Sequence, residues 1–123
     1  MTLRFISARS APWWLKAWRM VFPPVRDAYV TVGSRCYMPV LEEGKVPLSV
    51  QVHEAVHCEQ WHRWGPLFVL GYALPYFRAR IEFAAYRAEV GRGFTTADAA
   101  ADEICSALYL WPWPRRWVRR WFG

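Results

Sequence analysis

Along this chain, stretches whose apolar residues recur every three or four positions are interleaved with short stretches in which they alternate, a pattern that predicts helices with a small sheet. Ser10-Ala11-Pro12 opens a first helix to about Phe22, with Trp14, Leu15, Trp18, Val21 and Phe22 as its apolar face, and Pro23-Pro24 ends it. Residues 28–32 and 35–38 (AYVTV and RCYM) are strand-like, and Gly33-Ser34 between them fits a two-residue turn with glycine first, so a hairpin is expected. A second helix follows Pro47, capped by Ser49, with Val50, Val56, Trp61 and Trp64 as apolar positions and Gly65-Pro66 as its stop. Between Pro75 and Val90 the apolar residues Phe77, Ile81, Ala84, Ala85 and Ala88 return at helical spacing, and Gly91 terminates them. Thr95-Thr96-Ala97-Asp98 is a capping sequence for a final helix reaching about Leu110.

The longest charge-free run, Trp64 to Phe77, is 14 residues and is broken by Pro66, Gly71 and Pro75. It is too short to cross a bilayer, which takes ~20 residues. The expectation is a buried connection that returns the chain from the second helix to the third. At 123 residues, with 54% hydrophobic residues, the chain has the size of one domain and is too apolar to be disordered. The cysteines, Cys36, Cys58 and Cys105, are odd in number and form no CxxC pair, which argues against a disulfide scaffold. The opening MTLRFISARS lacks the apolar region and cleavage site of a secretory signal, so a reducing cytoplasm is the expected location.

The second helix carries the most informative chemistry, His53-Glu54-Ala55-Val56-His57. Residues i and i+4 lie on one helix face with Cβ atoms about 5–6 Å apart, so both imidazoles can ligate one tetrahedral zinc ion. Glu54, about a quarter-turn away, is placed to act on a water at the metal's open position as general base. This is the HExxH pattern, and all three histidines of the chain fall in the same segment. A third ligand must come from elsewhere. Gln60 and Arg63 stand where the long metzincin form needs glycine and histidine, and His62 is turned about 140° from His57 around the helix. Glu82 sits within the apolar stripe of the following helix, where a carboxylate is costly to bury without a partner, and is the preferred ligand. Glu89, seven residues on, lies on nearly the same face and is the fallback. Cys58 points about 100° from His57 and reads as core or free thiol.

With TVGSRCYMP, HEAVHCEQWHRWG and IEFAAYRAE in that order, the run from Tyr29 to Glu89 resembles the minimal gluzincin domains of bacterial and phage proteins. Those families show a hairpin ending in an aromatic and a proline, an HExxHxxQ helix and a Glu helix of the form PFExEAY. Gln60, Glu82 and Tyr86 match the glutamine, the ligand glutamate and the tyrosine, whereas Ala84 replaces a common second acid and Arg80 the proline. The resemblance implies a small α+β zincin-like domain: an N-terminal backing helix, a short hairpin or sheet, the HExxH helix and the Glu helix. It also implies an edge strand that pairs with an extended substrate, for which residues 35–38 are the candidate.

Residues 1–110 form the expected domain, and 111–123 (WPWPRRWVRRWFG) a tail with four arginines, four tryptophans and no acid. Removing those arginines from the net charge of +6 leaves +2 on residues 1–114. Such a segment suits packing back on the domain, or an anionic membrane surface; nucleic acid is the least favoured partner. Two functions fit the whole chain. One is a Zn²⁺ peptidase acting on a peptide or protein substrate, with His53, His57 and Glu82 on the metal, Glu54 as base, and Tyr86, Tyr76 or another nearby donor on the oxyanion. The other is a zincin-fold protein that binds a partner or a membrane around a structural zinc closed by a fourth ligand such as Glu89 or Cys58.

Overall fold

The computed structural model describes residues 3–40, 45–106 and 109–123 and is an α+β structure: six α-helices and a mixed three-stranded sheet among those residues. Strand β1 (Arg4–Ile6) is followed by a 3₁₀ turn, helix α1 (Trp13–Val21), a second 3₁₀ turn (Pro23–Asp27) and strands β2 (Val30–Val32) and β3 (Arg35–Tyr37). Four helices come next, α2 (Leu48–Trp64), α3 (Pro66–Ala73), α4 (Pro75–Gly91) and α5 (Ala97–Ile104), and α6 (Arg115–Trp121) closes the chain.

The hairpin forms as the pattern predicts. Gly33 has φ +63° at the first turn position, a conformation that costs a residue without Cβ little. The strand order is β1-β3-β2, with β1 parallel and β2 antiparallel to β3. Residues 35–38 are therefore central and not an edge, because Arg4–Ile6, too short to show a period, pairs along β3. The edge that faces the helices is β2.

Leu15 of α1 packs with Ala11, Val25 and Tyr37 on the sheet and Phe22 joins them half-buried, but Val21 is 82% exposed, and Trp14 and Trp18 border a cavity. The helix turns Arg19 inward instead. That guanidinium donates to the carbonyls of Val25, Ala28 and Met38 at 3.2, 3.1 and 2.9 Å; the Val25 oxygen also accepts the Ala28 N–H that closes the 3₁₀ turn.

α2 starts at Leu48, so Ser49 lies within its first turn and no side chain caps it. It ends, as expected, at Gly65, whose φ +54° and ψ −131° are accessible to glycine. Pro66 and Pro75 open α3 and α4, where their missing N–H is not needed. The run expected to be a buried connection is thus a helix, and only its Phe68 is buried; Leu67, Val69 and Leu70 are more than half exposed. Phe68 stacks on Trp61, ring centroids 4.5 Å apart.

Thr96 caps α5 by accepting from the Ala99 N–H at 3.1 Å. That helix stops at Ile104, short of the expected Leu110, and residues 107 and 108 lie outside the described ones. Residues 111–123 are joined to the core: Val118 of α6 is fully buried with Ala79, Ala101 and Ile104, and Arg115 and Arg119 pair with Asp102 and Asp98 of α5. Among the described residues no helix is long and apolar enough to cross a membrane.

Candidate metal centre

α2 presents His53 and His57 one turn apart, and α4 packs against it so that Glu82 meets the pair. The two Nε2 atoms are 3.2 Å apart, and Glu82 Oε1 lies 3.0 Å from that of His53 and 3.1 Å from that of His57. One ligand atom from each of the three buried residues lies within 4.8 Å of the others, a set able to hold one metal ion.

The outer ring nitrogens reveal what the inner ones carry. Gln60 Nε2 donates to the Ile81 carbonyl at 3.2 Å, which turns Gln60 Oε1 toward His57 Nδ1 at 2.9 Å. An amide oxygen can only accept, so Nδ1 holds a hydrogen, and in the neutral ring Nε2 is the nitrogen left with a lone pair. His53 Nδ1 is held in the same way by Glu89 Oε2 at 2.8 Å. With both rings neutral, two Nε2 lone pairs and a carboxylate face one another in a buried place, an arrangement that repels itself unless a proton or a metal cation lies among them. Two imidazole nitrogens and a carboxylate oxygen, each ring oriented by an outer acceptor, suit zinc.

In the absence of a metal, a proton serves instead. Burial opposes charge on His53, but its bonds to Glu82 and Glu89 outweigh that and hold its pKa at about 10. His57 is also raised, burial being outweighed by the charge and hydrogen bond of Glu82. Burial works to raise the pKa of Glu82, yet His57 and His53 hold its carboxyl well below the usual carboxylate range. Tyr72 of α3 donates to its other oxygen at 3.0 Å.

Glu54 is turned toward the sheet. Thr31 Oγ1 of β2 donates to Glu54 Oε2 at 2.7 Å, and the Thr31 carbonyl accepts from Trp61 Nε1 at 2.9 Å. Burial pushes the Glu54 carboxyl up, and the charges of His57 and His53 and the Thr31 hydroxyl only partly offset it. A carboxylate held up in this way takes a proton more readily than a solvated one. All four residues border a cavity of about 740 Å³, whose wall is mostly apolar and includes Trp14, Trp18, Trp61, Phe68, Tyr72 and Tyr109.

The remaining candidates fall elsewhere. Glu89 contacts the outer nitrogen of His53, opposite the ligand atoms. Cys58 is buried with its sulfur 3.8 Å from His62 Nδ1, and exposed His62 donates to the Cys58 carbonyl at 2.8 Å. Tyr86 stands edge-on to the His53 ring, centroids 4.5 Å apart, and its hydroxyl bonds to Tyr109. Tyr76 lines a surface pocket with Trp117, Arg120 and Trp121. Thr31, Tyr72 and Tyr109 carry no local signal in the sequence, and reach the centre only through the packing of β2, α3 and the segment before α6. Comparison with protein-family models, with curated proteins and with solved structures gave no match.

Proposed function

We propose that this protein is a zinc-dependent peptidase with a small zincin-like, gluzincin-type centre. The observation that carries the reading is the convergence of His53 Nε2, His57 Nε2 and a Glu82 oxygen within 4.8 Å, with both outer ring nitrogens already engaged. Bound there, zinc would supply Lewis acidity, polarising the scissile carbonyl and acidifying a water molecule. Glu54, fixed by Thr31, takes a proton from that water as its oxygen bonds to the carbonyl carbon; the same proton then goes to the amine as the C–N bond breaks. The cavity holds the substrate and keeps bulk water away; the hydroxyls of Tyr72 and Tyr109 on its wall are bonded to Glu82 and to Tyr86, and either would stabilise the oxyanion by turning its hydrogen from that partner to the substrate. A closed structural zinc would call for a fourth donor, while Glu89 is engaged with His53 and Cys58 lies beside His62.

Metal content and hydrolysis of a quenched fluorescent peptide library test the reading together. Wild-type protein should carry zinc near one equivalent and lose it in His57→Ala. Glu54→Gln should keep the zinc and lose at least about a hundredfold in kcat/KM, the scale of general acid–base catalysis. Cleavage at the wild-type rate by Glu54→Gln would remove Glu54 from the mechanism.

A further inference from the structure

α3 contains no charged residue, and Leu67 and Leu70 on its outer face are 68% and 64% exposed. The apolar surface continues through Leu74 to Tyr76 and Phe77 at the start of α4, all about half exposed. Tyr76 packs edge-on against Trp121 with centroids 6.0 Å apart, and together with Trp117 and Arg120 they line one shallow pocket, so the strip runs on to α6. There Trp113 stacks on Trp117 at 6.4 Å. Contiguous apolar surface of this kind on a folded protein marks a place where something binds.

The charge around the strip is predominantly positive. From residue 60 to residue 97 the acids are Glu82 and Glu89, and both are turned in toward His53. Arg80, Arg87 and Arg92 of the same stretch are exposed. On α6, Arg115 and Arg119 answer Asp102 and Asp98, but Arg116 and Arg120 have no ion pair among the described residues. Leucine, tryptophan and uncompensated arginine side by side match the interfacial layer of a bilayer, where aliphatic chains reach the acyl region, indoles sit at the headgroups and guanidinium groups meet phosphate. Leucines offer nothing to a nucleic acid.

We infer that this face seats the protein peripherally on an anionic lipid bilayer, with α3 and the start of α4 in the interfacial layer and Arg116 and Arg120 on the headgroups. The inference stands apart from the metal centre and would survive the loss of the peptidase reading. Flotation of the full chain with vesicles tests it, comparing pure phosphatidylcholine with phosphatidylcholine containing about one-third phosphatidylserine. Wild-type protein should float with the anionic vesicles, stay behind with the neutral ones and be released as salt rises. Arg116→Gln with Arg120→Gln should weaken the partition about twenty- to thirtyfold, at about fivefold per charge. Leu70→Glu with Leu74→Glu should abolish it at unchanged melting temperature, both positions being exposed. Absence of wild-type flotation, equal flotation with both lipids, or wild-type flotation by the leucine variant would overturn the inference. So would a dimer in analytical ultracentrifugation that the leucine substitutions dissolve, because a second copy would then cover the face.

Discussion

Glu54 and Glu82 are both buried carboxylates within the same cluster, yet burial has opposite outcomes for them. Glu82 meets two imidazoles and a tyrosine hydroxyl, and its proton is driven off; Glu54 has one hydroxyl and more distant charges, and its pKa rises. Thr31 is the lever on the second group. Replacing it with valine removes a donor to the charged form, so the Glu54 pKa moves further up, and the acid limb of the pH–kcat/KM profile should shift upward by about one unit with the maximum falling about tenfold. An unmoved acid limb would mean that Thr31 does not tune Glu54. His53 gives a second prediction. Its folded pKa of about 10 lies above the unfolded value near 6.5, so without metal its contribution to stability is fully present below ~6.5 and is lost as pH rises through about 10. A zinc ion bound at this centre would have to displace that proton. Calorimetric titration at pH 7.5 in buffers of different ionisation heat should show about one proton released, and the affinity should rise about tenfold per pH unit toward 10.

Among the elements, the joint between α2 and α3 is the most constrained. At Gly65 the backbone takes φ +54° and ψ −131°, and an added Cβ would meet nothing within 4 Å, so only conformational strain opposes a side chain there. Gly65→Ala should cost about 1–3 kcal/mol in urea denaturation, whereas Gly91→Ala, at an ordinary φ beside open space, should stay within about 0.5 kcal/mol of wild type. Equal costs would show that the joint is not strained. Element starts and stops of this kind are legible in the sequence because proline and glycine act on their own backbone. The facing of an element is not: periodicity marks Trp14, Trp18 and Val21 as core on α1, but the carbonyls of Val25, Ala28 and Met38 draw Arg19 inward and rotate the tryptophans to the cavity.

In the molecule as a whole, the basic carboxyl-terminal segment belongs to the core of the helical half. Val118 fills a space between α4 and α5 and is fully buried there. Val118→Ala should therefore destabilise by about 1–3 kcal/mol and lower Tm by roughly 5–10 °C, read by thermal melts at 222 nm. A melt indistinguishable from wild type would mean that α6 is not integral. The sequence by itself determined what depends on neighbours along the chain: the hairpin turn, the capped and proline-opened helices, and two imidazoles four residues apart on one face. The cost of burying a carboxylate in an apolar stripe already favoured Glu82 as their partner; tertiary structure decided that Glu89 meets the outer nitrogen, that Thr31 and not a helix neighbour holds Glu54, and that β3 is central with β1 and β2 at the edges. Those outcomes join residues from about 20 to about 40 positions apart, and over such distances packing and the satisfaction of buried polar groups select the partner.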